Sequence, residues 1–273
     1  MSLLVWNRSP GKYGKLTEAG ATVAANPAEV FSKSQTIVMM LRHGAAMDES
    51  LARGQPEFKM RVRGRTVINM ATTEPAYSKA LETDIRSAGG RYVEAPVSGS
   101  RKPAEDGQLA AMLAGDPSDV EAVRYLLTPM CKESIVCGAV PSALYMKLAV
   151  NLFMINMVTG LAEATHFAQR HGLNIIKFVR ILGASPMASD VSRVKASKLL
   201  AGDFGPQAAI SNVLENNSLI VDAARAAGIA SPLIDVCHAL YRETEARGLG
   251  GEDMVAVIRA IEERTAAGRW SPS

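Results

Sequence analysis

Along residues 1–139, short apolar runs alternate with longer stretches in which apolar and polar positions recur at helical spacing. The runs LLVWN (3–7), TIVMML (36–41), TVINM (66–70), RYVEAPV (91–97), AAMLAG (110–115) and SIVCG (134–138) are rich in branched side chains, as strands covered on both faces are. Between them, 10–20, 27–34, 74–88 and 117–130 read as helices. Pro27 and Pro75 stand where first turns begin, and Gly20 and Gly89-Gly90 stand where helices end. This alternation predicts an α/β fold, a doubly wound and mainly parallel sheet with helices on both faces. After residue 139 the strand signal stops. Helices are expected near 141–171, 174–182, 189–201, 207–228, 231–247 and 251–267, punctuated by Gly172, Pro186, Gly205-Pro206, Gly228 and Pro232. The pattern divides the chain into an α/β domain, 1–139, and an all-helical domain, 140–273, joined by the helix after Pro141.

Composition adds limits. The 273 residues could form one large domain or two modest ones, and 48% hydrophobic content is ample for a packed core. The net charge is +3, from 30 basic and 27 acidic residues without charge blocks, so neither nucleic acid nor a membrane surface is an expected partner. Residues 144–168 are long and apolar, but Lys147, Asn151, Asn156 and Glu163 interrupt them, and a buried helix of a soluble protein is the expectation. The N-terminus lacks the order of a secretory leader. Cys131, Cys137 and Cys237 form no CxxC, which fits reduced thiols in a cytoplasm. His43, His166, His171 and His238 are not at ligand spacing, so they are expected to be structural or surface residues, and no metal is expected.

Chemistry enters at VWNRSPGK, residues 5–12. In dinucleotide-binding α/β folds, an acidic residue at the end of the second strand holds the ribose hydroxyl, whereas an arginine there accommodates a 2'-phosphate. Here the run ends in Asn7-Arg8, with Lys12 one turn on, so the cations suit NADP better than NAD. A solvated basic turn would give the same pattern. No GxGxxG occurs in the chain. Lys147 and Asn151, four residues apart on a helix, project an ammonium and an amide from one face. That pair can protonate an alkoxide and hold a small substrate, although a snorkelling lysine reads alike. Ser98-Gly99 follow a strand end, where a hydroxyl and backbone N–H groups can bind a carboxylate, and where a plain turn is the alternative.

The run EAPVSGSRKPAEDGQL, residues 94–109, is similar to the substrate-binding signature of the β-hydroxyacid dehydrogenase family, which includes 3-hydroxyisobutyrate dehydrogenase and glyoxylate/succinic semialdehyde reductase. The resemblance extends along the chain through VWNRSP, the MML loop, INMATT, KLAVN and the helical tail. It implies a Rossmann-type sheet followed by a helical domain, NADP as cofactor with NAD the lesser alternative, and a small substrate bearing a carboxylate. It implies a catalytic Lys147, with Ser98, Gly99 and Asn151 on the substrate. Asn7, Arg8, Lys12, Met40, Leu41 and Thr72 fall to the cofactor, and a homodimer or homotetramer is expected. Family members carry about 30 to 40 further N-terminal residues with a first strand and the glycine turn, so the start is either assigned late or the pyrophosphate site is absent. Two departures bear on activity: Glu215-Asn216 stand where the family has a Lys-Asp pair, and Ala208 stands where glyoxylate reductases have an aromatic residue. Reversing a charge there argues against carrying over the glyoxylate activity, and leaves a catalytically silent homologue as the second reading. Retention of Lys147 disfavours an imine-reducing relative.

Overall fold

The structure is a computed structural model that describes residues 2–9, 11 and 13–268. Two compact units, Met1–Lys147 and Leu148–Ser273, make up the chain. The first contains β1 (Leu4–Val5), α1 (Gly14–Glu18), β2 (Thr22–Val23), α2 (Pro27–Lys33), β3 (Thr36–Met39), α3 (Gly44–Leu51), α4 (Glu57–Val62), β4 (Thr66–Asn69) and α5 (Pro75–Ser87). It continues with β5 (Arg91–Glu94), β6 (Val97–Ser98), α6 (Arg101–Glu105), β7 (Leu109–Gly115), α7 (Pro117–Arg124) and β8 (Cys131–Gly138).

Six strands form one sheet in the order β3-β4-β5-β7-β6, with β8 also paired to β7. The pairs β3–β4, β4–β5 and β7–β8 are parallel, whereas β7 runs antiparallel to β5 and β6. Side chains alternate between the two faces. Val67 and Tyr92 join Phe31, Leu51, Leu81 and Ile85 on one, while Ile68 and Val93 join Leu113, Val120 and Leu127 on the other. Each fully buried Leu or Ile here contributes about 1.5–3 kcal/mol relative to an exposed one. β1 and β2 form a separate parallel pair, not hydrogen-bonded to the larger sheet. The pattern anticipates β1, β3, β4, β7 and β8, but 91–97 breaks into β5 and β6, because Ala95 and Pro96 turn the chain before Val97 pairs with Ala111, and β2 falls where no strand is predicted.

Local signals explain the helix starts. Asn26 caps α2 through Glu29 N at 3.0 Å, Asp116 caps α7 through Ser118 N at 2.9 Å, and proline opens α2, α5 and α7. The helices α3 and α4 fall in a stretch with no predicted element. The N-cap of α3 is His43, whose Nδ1 accepts from Ala46 N at 3.2 Å, so the usual Ser, Thr, Asp or Asn start signal is missing.

The second unit takes most of α8 (Ser142–Arg170), then α9 (Ile175–Ala184), α10 (Asp190–Ala201), α11 (Ile210–Ala226), α12 (Pro232–Thr244), a π turn at 245–249, a 3₁₀ turn (Met254–Val257) and α13 (Ile258–Ala266). By length and composition α8 could cross a membrane, yet Leu148, Ile155, Val158, Leu161 and Ala162 are buried in the helical core. Asp253, fully buried, is gripped by Lys195 Nζ at 2.8 and 2.9 Å and by the amides of Gln207 and Ala208. That ties the 203–210 loop to α10.

Candidate active site

Because β3, β4 and β5 are parallel, the segments that follow them emerge at one carboxyl edge, where ligands bind in open α/β sheets. Met40 is exposed and Leu41 half-buried after β3; Thr72 is half-buried after β4. The neighbouring Thr73 hydroxyl is buried with no hydrogen-bond partner among the described residues, an orphan polar group in the loop expected beside a nicotinamide. Ser98 ends β6, half-buried, and Gly99 follows with φ +127°. A Cβ at Gly99 would lie 2.5 Å from Leu109 Cδ2 and 3.1 Å from Pro103 Cβ, so only glycine fits and its backbone stays open on the loop.

At the end of β1, Asn7 is braced by Tyr13: the tyrosine hydroxyl accepts from Asn7 N and donates to Asn7 O, both at 2.7 Å. Asn7 Nδ2 donates to Ser9 O at 3.0 Å, and Arg8 is exposed. This turn belongs to the two-stranded sheet, apart from the strands carrying the other expected residues. Lys12 lies outside the described residues.

Lys147 and Asn151 both lie on α8, one turn apart. Lys147 is half-buried, and burial pulls its ammonium down to about 8. Asn151 is buried, and its Nδ2 donates to Asn216 Oδ1 at 2.8 Å. Asn216 Nδ2 in turn donates to Asn212 O at 2.7 Å, which only an N–H can do, so the orientation of both amides is fixed. Asn216 therefore holds Asn151, a role invisible in the sequence. Ala208 packs, partly buried, against the helical core.

A second group escaped the pattern. Glu94 closes β5 with no exposed surface. Its Oε1 accepts from Ser78 Oγ at 2.5 Å and its Oε2 from Leu144 N, at the start of α8, at 3.3 Å. Burial raises its carboxyl to about 7, against the lowering effect of the Ser78 hydroxyl and the Leu144 and Ala143 amides. An acid inside a run read as an apolar strand was the available signal. The histidines have local partners: His166 meets Thr265 at 2.9 Å, His238 meets Ser218 at 3.3 Å, and the rings of His171 and Phe167 lie 4.3 Å apart.

Residues 1–138 match the family model for the NAD binding domain of 6-phosphogluconate dehydrogenase, and residues 142–261 match that described as NAD-binding of NADP-dependent 3-hydroxyisobutyrate dehydrogenase. Glyoxylate/succinic semialdehyde reductase 1 of Arabidopsis thaliana is 30% identical over 259 residues, which are 94% of this chain and 89% of that protein. Cytokine-like nuclear factor N-PAC of Aedes aegypti is 27% identical over 95% of this chain, which spans 46% of that longer protein. The crystal structure of 3-hydroxyisobutyrate dehydrogenase from Salmonella typhimurium shares the fold, with a TM-score of 0.86 at 21% identity over 95% of this chain and 91% of that one. The chain belongs to the β-hydroxyacid dehydrogenase family and is an NAD(P)-dependent oxidoreductase of that type.

Proposed function

We propose that the protein interconverts a small hydroxy acid and its carbonyl form with NADP(H). The observation that carries this reading is a desolvated ammonium, Lys147, one helical turn from an amide held in a fixed orientation, Asn151. A bound nicotinamide supplies or takes the hydride. Lys147 gives its proton to the new alkoxide in reduction and takes it back in oxidation, a role suited to a group titrating near 8. Asn151 orients the substrate, and Ser98 with the backbone at Gly99 holds its carboxylate. Thr72, Met40 and Leu41 lie at the sheet edge that fits a nicotinamide and its ribose, with the orphan Thr73 hydroxyl beside them. Arg8 and Lys12 hold the 2'-phosphate, with Asn7, whose backbone Tyr13 braces, beside Arg8 on the cofactor. A glycine-rich pyrophosphate turn is not among the 273 residues, so those residues fit the two ends of the cofactor rather than its centre.

Two further parts belong to the proposal. The thiols Cys131, Cys137 and Cys237 are free, in keeping with a cytoplasmic setting. The apolar residues Phe153 and Phe167 of α8 and Ile176 and Ile181 of α9 are exposed, positions suited to contact with a second copy of the chain, whereas the apolar side of α11 packs into its own core.

Lys147→Ala tests the chemistry. With NADPH and glyoxylate, succinic semialdehyde or methylmalonate semialdehyde, the aldehyde form of 3-hydroxyisobutyrate, as trial substrates, turnover should fall at least about a thousandfold while cofactor affinity holds. Retained turnover would remove Lys147 from the mechanism. In a nicotinamide-fluorescence titration NADPH should bind about tenfold or more tightly than NADH, and Arg8→Ala should erase the difference. A silent homologue would bind cofactor and turn over none of the trial substrates.

A further inference from the structure

Glu94 has no part in the chemistry above, yet it ends a directed chain of hydrogen bonds. Asn69 Oδ1 accepts from Ala71 N at 3.0 Å, which orients the amide so that Nδ2 donates to the Tyr92 hydroxyl at 3.0 Å. With Tyr92 accepting there, its own proton goes to Ser78 Oγ at 2.7 Å, and the Ser78 proton goes to Glu94 Oε1 at 2.5 Å. From the opposite side Leu144 N, in the first turn of α8, donates to Oε2. Every proton along this path points at the carboxylate, and each of its oxygens is engaged. Asn69, Tyr92, Ser78 and Glu94 are all buried. One end of the path is Ala71, beside Thr72; the other lies three residues before Lys147.

We propose that Glu94 is a positioning residue: its ionised carboxylate locks the first turn of α8, and with it Lys147, to the loop that carries Thr72. The catalytic consequence rests on the role given to Lys147 above; the anchor itself does not. A protonated Glu94 would either aim its hydrogen at the Leu144 amide, donor against donor, or turn the Ser78 hydroxyl from donor to acceptor and break the directed chain; in both cases Leu144 N loses its charged acceptor and the anchor weakens. The charged and titratable groups that face Glu94 are Glu82 of α5, Tyr92 of β5 and Cys137 of β8, whose thiol is pushed up by burial and by Glu94. No cation pairs with Glu94 among the described residues. Its titration near 7 places the change of state in the neutral range.

Glu94→Gln separates anchor from filler, because glutamine keeps the shape but offers one acceptor where two donors converge. The experiment uses the whole chain with NADPH and whichever trial substrate turns over, reading kcat against pH for wild type, Glu94→Gln and Ser78→Ala, together with amide exchange of peptide 142–148 at each pH. Wild type should lose kcat on the acid side as Glu94 takes up its proton. Glu94→Gln should be about tenfold slower without that limb, with NADPH affinity unchanged. Ser78→Ala, lacking one donor, should move the limb to higher pH. Exchange of 142–148 should be about tenfold faster in Glu94→Gln than in wild type at alkaline pH. Acid limbs in both variants that match wild type, or exchange that does not respond, would overturn the proposal; if Glu94→Gln does not fold, the Ser78→Ala limb and its exchange decide. Exchange that responds while Lys147→Ala keeps its turnover would leave the anchor standing and remove the catalytic reading instead.

Discussion

Each unit buries one carboxylate completely, and the two solve the resulting problem in opposite ways. Asp253 in the helical unit receives an ammonium, Lys195, along with backbone amides. Glu94 in the sheet unit receives a hydroxyl and backbone amides, with no cation. A buried ion pair is closed: each charge is satisfied by the other. A buried acid held by neutral donors stays poised, because the donors favour its charge while burial opposes it. The first arrangement fixes a loop. The second leaves a charge that solution pH can remove.

Breaking the closed site should cost most. Asp253→Ala strands the Lys195 ammonium in the core, and a loss of about 3–5 kcal/mol in urea unfolding is expected, as for other interrupted buried pairs. A loss under about 1 kcal/mol would put the Lys195–Asp253 pair in the class of exposed ion pairs and reverse the ranking of the two sites.

The poised site should show itself through pH. Glu94 binds its proton more tightly folded, near 7, than unfolded, near 4.5, so its contribution to stability is complete below 4.5 and is lost as pH rises through 7. The decline is on the order of 3 kcal/mol. Subtracting the unfolding free energy of Glu94→Gln from that of wild type at each pH should reveal this slope, and a flat difference would contradict it. The smallest effect is expected at the amide pair: Asn216→Leu deprives Asn151 of its acceptor, costing about 1 kcal/mol and raising KM severalfold with NADPH affinity intact. An unchanged KM would show that Asn151 needs no such support.

What the sequence revealed follows from the range of each interaction. The long strands and helices were legible because their patterns are local, and Lys147 and Asn151 were legible as a pair because four residues make one helical turn. The brace on Asn151 comes from Asn216, 65 residues away, and could be noticed only as a departure from a family pattern. Glu94 was hidden for a different reason. In RYVEAPV the acid sits among strand formers, and nothing nearby announces Ser78, sixteen residues earlier, or Leu144, fifty later. The separation of β1 and β2 from the main sheet was also beyond the pattern, since strand order depends on partners rather than on composition.

That separation has a practical side. Among the described residues β3 is an outermost strand of its sheet, paired with β4 on one flank, and Val38 is about half exposed. The stretch TIVMML from 36 to 41 has no charge and no proline, the residues with which natural sheets blunt their borders. Six such residues can recruit a matching segment from a neighbouring molecule and start an intermolecular stack. In residues 1–273 taken alone this border is open to such pairing, and a lysine in place of Val38, whose side chain meets water here, is the change that would guard it.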